Sequence, residues 1–126
     1  MKRLVIDVDN TLTEGGGGDY SAVSPNLAVI GRLRAYKAEG FEIVLATSRN
    51  MRTHRNNLGK IVAHTVPVLL DWLRAHDVPY DEIWVGKPWC GEDGFYVDDR
   101  AIRPDEFVAL DYREVRAVIG DPVDDD

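Results

Sequence analysis

The chain has 126 residues, 44% of them hydrophobic, with 15 Lys+Arg against 22 Asp+Glu and a net charge of −7. That length suits one domain with a real core, and the acidic balance argues against a nucleic-acid backbone as the partner. The single cysteine, Cys90, rules out an intramolecular disulfide, and the run Leu4-Val5-Ile6 is too short for a signal peptide, so the expectation is a cytoplasmic protein with no membrane partner. Leu4 to Val8 is apolar and rich in β-branched residues, as in a buried central strand. Thr13 to Asp19 contains four consecutive glycines, Gly15 to Gly18, which hold neither helix nor strand and read as a mobile flap beside the site or as a tolerated loop. Ser24-Pro25 predicts a helix start, with Val29, Ile30, Leu33 and Tyr36 on one face and Gly40 at its end. Phe41 to Ala46 predicts a second strand, followed by a polar, basic stretch from Thr47 to Lys60.

A second helix carries Val66, Leu69, Leu70 and Leu73; Pro67 sets its regular part from near Thr65, with Lys60 as an earlier alternative. Glu82 to Val85 predicts a third strand, and Gly94 to Val97 a fourth that runs into Asp98-Asp99. Asp111 caps a last helix reaching about Ile119, and residues 121–126 form an acidic tail. Trp72 and Trp84 are expected in the core, Trp89 in a pocket wall or in packing, and His54, His64 and His76 lack metal-ligand spacing. Strands alternating with helices in short units imply an α/β fold, a doubly wound parallel sheet in three layers, over a single domain at 1–120.

In such a sheet, ligands bind beyond the C-terminal ends of the strands. Asp7, Asp9, Asn10 and Thr11 follow the first predicted strand, Thr47, Ser48 and Arg49 the second, Lys87 the third, and Asp98 and Asp99 the fourth. Several carboxylates brought together cannot all ionise without a counter-charge. A hard divalent cation meets that need, and Mg²⁺, which takes one or two carboxylates and a phosphate oxygen, is the candidate. With Lys87 the set suits a phosphoryl group. From Ile43 to Leu70 there is no Asp or Glu, while Arg49, Arg52, Arg55 and Lys60 all occur, so Arg49 and Arg52 are candidates to grip an anionic part of a substrate.

Asp7-Val8-Asp9-Asn10-Thr11 resembles the Asp-x-Asp-x-Thr signature of the haloacid dehalogenase superfamily, and Thr47, Lys87 and Asp98-Asp99 are similar to its second, third and fourth motifs in order. More narrowly, Ala46 to Arg52, Val85 to Gly91 and Tyr96 to Pro104 resemble the small group called capsule-biosynthesis phosphatases. The resemblance implies a Rossmann-like fold and an Mg²⁺-dependent phosphatase. In it Asp7 is the nucleophile, Asp9 the general acid and then base, Thr47 the phosphoryl binder and Lys87 the neutralising cation. It also implies Asp7, the Asp9 carbonyl and Asp98 as metal ligands, with Asp99 nearby and the choice between the two acids open. Asn10 and Ser48 join Arg49 and Arg52 as substrate-binding candidates, and Thr11 braces the loop. Dehalogenases of the superfamily lack an acid at the place of Asp9, so the resemblance points to phosphate chemistry.

Neither the span from Thr13 to Ser24 nor the ten residues between Lys87 and Asp98 has room for a folded cap domain. The expectation is therefore a capless enzyme acting on a small phosphorylated sugar or polyol of surface polysaccharide metabolism. Its lid would come from a neighbouring subunit of a homodimer or homotetramer. An open site acting on a macromolecule and a non-enzymatic phospho-acceptor module are the alternatives.

Overall fold

The computed structural model describes residues 1–15 and 19–123. The described chain is a mixed α/β protein with a three-stranded parallel sheet of Rossmann-like character. It falls into two compact units, Met1–Trp89 and Cys90–Asp126.

In the first unit, β1 (Arg3–Asp7), β4 (Glu42–Thr47) and β5 (Glu82–Val85) form the sheet in the order β1-β4-β5. Asp7 lies opposite Ala46 and Thr47 opposite Val85, so the three strands end together on one edge. The strands form because Ile43, Val44 and Leu45 bury both faces of the central β4, where β-branched and apolar side chains pack on a pleated surface. Helix α1 (Leu27–Ala38) buries Val29, Ile30, Leu33 and Tyr36, the face expected from their spacing. Gly40, at φ +96°, takes the left-handed conformation just beyond the helix C-cap Glu39.

The start of α1 differs from the expectation. Its N-cap is Asn26, whose side chain accepts from Val29 N at 3.3 Å, while Ser24–Pro25 forms a short strand β3 paired antiparallel with β2 (Thr13–Glu14). With the cap two residues later at Asn26, Ser24-Pro25 is free to pair with β2 and close the excursion that begins after β1.

The second expected helix is two. α2 (Leu58–His64) and α3 (Val66–Ala75) meet at Thr65. Pro67 has no N–H to continue the α2 ladder and sits instead in the first turn of α3, where that N–H would have no partner anyway. Trp72 is buried on α3 and donates from Nε1 to Val23 O at 2.7 Å. Trp84 corrects the expectation of a core residue: it is 61% exposed on the edge strand β5, its Nε1 donating to Glu82 Oε1. On an edge strand with alternating faces, one face is not obliged to be covered.

The second unit contains α4 (Pro104–Ala109) and α5 (Tyr112–Val118). Asp111 caps α5 as expected, accepting from Glu114 N at 2.8 Å. Helix α4 was not anticipated, although Pro104 in its first turn and Glu106 accepting from Arg103 N are start signals visible in the sequence. Gly94 to Val97 corrects the expectation of a fourth strand: it has no ladder, and Phe95, Tyr96 and Val97 are 79%, 51% and 88% exposed. A run of strand-forming residues becomes a strand only when a neighbouring edge takes its N–H and C=O groups. Part of the glycine flap (16–18) and the end of the acidic tail (124–126) lie outside the described residues. Among the described residues no helix is long and apolar enough to cross a membrane.

Candidate active site

The parallel register carries the ends of β1, β4 and β5 to the same edge of the first unit, and with them Asp7, Asp9, Thr47, Arg49 and Lys87. After β1 the chain turns sharply. Leu12 N and Thr13 N both donate to Val8 O, and Asn10 sits at φ +62° with its N–H donating to Thr13 Oγ1 at 2.9 Å. Asn tolerates that left-handed conformation better than most side chains, which suits Asn10 to this turn. The turn leaves Asp7 and Asp9 half-buried and brings Thr11 back, so that its Oγ1 donates to Asp7 Oδ2 at 3.1 Å.

Lys87 lies two residues beyond β5 and is anchored by its backbone N–H donating to Thr47 O at 3.1 Å. Its ammonium reaches Asp7 Oδ1 at 3.3 Å. Burial pushes the Asp7 carboxyl above its ordinary value, opposed by the Lys87 charge and the Thr11 hydrogen bond, with Asp9 adding to the upward push. The residue expected to be a nucleophile is thus a desolvated carboxylate with a cation placed against it, the kind of perturbation that marks functional acids.

The loop after β4 is built as tightly. Thr47 is buried and its Oγ1 accepts from Arg49 N at 3.0 Å. Asn50, at φ +60°, accepts on Oδ1 from Thr65 Oγ1 at 2.7 Å, tying the loop to the start of α3. Ser48 is half-buried, its carbonyl accepting from Met51 N. Arg52 is exposed, with its guanidinium 5.8 Å from the Trp89 ring centre.

Arg49 is the departure. Its side chain is fully buried, not presented outward, and it forks onto Asp9: Nη2 to Oδ1 at 2.7 Å, and Nε to Oδ1 at 3.1 Å and Oδ2 at 3.3 Å. The Tyr20 ring lies 4.1 Å from its Cζ. The sequence offered no signal for Tyr20, because a stacking contact across 29 positions leaves no mark on local pattern.

Asp98 and Asp99 belong to the second unit, where both are exposed. The Asp98 carboxyl is held below its ordinary value chiefly by the Arg100 N–H, which donates to Oδ1 at 2.9 Å. Among the described residues of neither unit do three His, Cys, Asp or Glu side chains gather as a metal-ligand group.

The donor set of the first unit nonetheless suits a hard cation. Each Asp7 oxygen has one partner and room for a second. Burial raises the Asp7 carboxyl above its ordinary value despite Lys87, and a further positive charge would oppose that push. Asp7 and Asp9 are already matched by Lys87 and Arg49, so an arriving phosphate dianion would call for another cation.

Fold and site together define a Rossmann-like α/β protein with a paired-carboxylate centre at its strand ends. No family model matches the chain, and no curated protein matches it. Among solved structures, the crystal structure of an MCSG target from Vibrio cholerae matches with a TM-score of 0.93 and 55% identity, covering 94% of this chain and 97% of that one. The chain belongs to the same family as that Vibrio cholerae protein. A chain in the structure of a Pnkp1/Rnl/Hen1 complex matches with a TM-score of 0.51 and 22% identity, over 86% of this chain and 34% of that one, a likeness of fold alone.

Proposed function

We propose that this protein is a capless phosphatase of haloacid dehalogenase type, hydrolysing a phosphomonoester with Mg²⁺ as cofactor. The observation that carries the reading is Asp7: a half-buried carboxylate at the end of the first strand, with Lys87 and Thr11 on its two oxygens and Asp9 two residues on. In this reading Asp7 attacks phosphorus, the bond from phosphorus to the ester oxygen breaks, and Asp9 delivers a proton to that departing oxygen. The product is an aspartyl-phosphate on Asp7. Asp9 then takes a proton from water as the water attacks phosphorus, which releases inorganic phosphate and restores Asp7.

Lys87 offsets charge on Asp7 and on the phosphoryl oxygens, and the Thr47 hydroxyl binds the phosphoryl group. The Asp7 carboxylate and the Asp9 carbonyl of the first unit would hold Mg²⁺. Bound there, the ion would offset the charge of the phosphoryl oxygens and keep Asp7 ionised. Asn10, Ser48 and Arg52 are the candidates for contact with the rest of the substrate, a small sugar or polyol phosphate of surface polysaccharide metabolism. A neighbouring subunit would cover the open site.

The test is phosphate release from a panel of phosphorylated metabolites and a generic aryl phosphate, with and without Mg²⁺, with Asp7→Asn as control. Mg²⁺-dependent turnover lost in the variant supports the reading. A panel with no turnover under any condition sinks it.

A further inference from the structure

The fork of Arg49 on Asp9 is difficult to reconcile with a substrate-gripping arginine. Two of the three guanidinium nitrogens are committed to the carboxylate, and the side chain is inaccessible to solvent. The third, Nη1, is buried without a hydrogen-bond partner among the described residues. Leaving a charged donor unsatisfied is costly, so the arrangement needs a compensating advantage. The advantage is orientation. Asp9 stands in a turn after β1, where a short side chain on a loop has several rotamers within reach. A planar fork meeting both carboxylate oxygens leaves it one.

The fork is itself fixed from three directions. The Arg49 N–H is held by Thr47 Oγ1, the following Asn50 is tied to Thr65, and the Tyr20 ring lies against the guanidinium. Stacking on an aromatic ring favours a guanidinium without using its donors.

We propose that Arg49 is a positioning residue that aims the Asp9 carboxyl group at the departing ester oxygen, and that Tyr20 holds Arg49 in place. This rests on the reading of Asp9 as the acid, and it makes a demand that a gripping role does not. An acid matters most when the leaving oxygen is strongly basic, as in an alkyl or sugar phosphate, and least for an aryl phosphate whose phenolate leaves readily. Loss of a substrate contact would weaken binding of both alike.

The experiment compares kcat/KM for an alkyl phosphate and an aryl phosphate with a good leaving group, in Arg49→Lys, Tyr20→Ala and Tyr20→Phe. Arg49→Lys keeps the charge and loses the fork. The expected result is a fall of about 100-fold on the alkyl ester against less than about tenfold on the aryl ester. Tyr20→Ala moves in the same direction by a smaller factor, and Tyr20→Phe, which keeps the ring, restores the wild-type ratio. Equal losses on both esters, carried by KM, overturn the proposal; should Arg49→Lys not fold, the Tyr20 pair decides. A second readout needs no turnover: the Arg49 Nε–H resonance, protected from solvent exchange in the wild type, loses that protection in Asp9→Asn. If it does not, the ion pair is not what fixes the two residues. If the wild type turns over no phosphate ester, the phosphatase reading fails while this measurement still reports on the pair.

Discussion

The two units hold their acids by different means. In the first, Asp7 and Asp9 stand on a sheet whose central strand is buried, and almost every buried apolar side chain among the described residues, from Ile6 to Val78, lies in that unit. Among the described residues of the second, Phe107 alone is buried, while Phe95, Tyr96, Val97 and Val118 are exposed. What orders the second unit is polar: Glu106 accepting from Arg103 N at the start of α4, the capping box of α5, and Arg116 donating to Tyr112 OH and to Asp121 O, with an ion pair to Asp121 at 2.9 Å. Apolar burial contributes about 25 cal/mol per Å², and exposed ion pairs add roughly 0–1 kcal/mol. The carboxylates nearest to Lys87 and Arg49 thus stand on a platform with a buried apolar core, whereas Asp98 and Asp99 sit in the unit with little apolar burial.

The largest expected effect sharpens the functional side of that contrast. Asp7→Asn is expected to lower phosphate release by more than about a thousandfold, since in the proposed function Asp7 is the nucleophile, with the circular dichroism spectrum unchanged. Retained activity would place the chemistry elsewhere.

Stability separates the units next. Leu45→Ala, at a fully buried position of β4, costs about 2–5 kcal/mol in urea unfolding. Val97→Ala, 88% exposed, stays within about 0.5 kcal/mol. Similar costs at the two positions would mean that Val97 is covered in solution, and the contrast would dissolve.

A smaller effect follows from the cap of α5. Asp111→Ala removes the acceptor for Glu114 N and lowers the stability of that helix by about 1 kcal/mol. Hydrogen exchange reads it directly: amides of α5 exchange faster in the variant while those of α1 keep their protection.

The smallest concerns pH. Asp81 joins the sheet to α1, accepting from Ile43 N at 2.8 Å and from Lys37 Nζ at 2.7 Å. Its carboxyl is held below the ordinary 3.8, first by the Ile43 N–H and then by Lys37. A folded-state value below the unfolded one means that ionised Asp81 favours the native state above pH 3.8, and that the contribution is lost as pH falls through the folded value. Asp81→Asn therefore lowers Tm modestly at neutral pH, and the gap to wild type closes in acid. A gap that persists unchanged at pH 2 would assign the effect to something other than this titration.

Several elements were legible because their cause is local. The β-branched runs at Leu4 to Val8 and Phe41 to Ala46 form strands wherever they find a sheet, and the spacing of Val29, Ile30, Leu33 and Tyr36 can bury only one helix face. Asp111 and Glu114 satisfy each other within one turn, so the start of α5 is written in four residues. The polar residues at the ends of β1, β4 and β5 follow from those strand ends, and the parallel register brings them to one edge.

Readable from the amino-acid order were thus β1, β4 and β5, the buried face of α1, the cap of α5 and the polar residues at the strand ends, because each rests on neighbours within a few residues. Only the tertiary structure decided the rest: that Ser24-Pro25 pairs with Thr13-Glu14, that Gly94 to Val97 has no ladder, and that Trp84 is exposed. It also turned Arg49 inward onto Asp9, across 40 positions, with Tyr20 against it. The physical reason is common to all of these. A strand edge, a covered face and an ion pair each need a partner, and the partner is chosen by how distant segments pack.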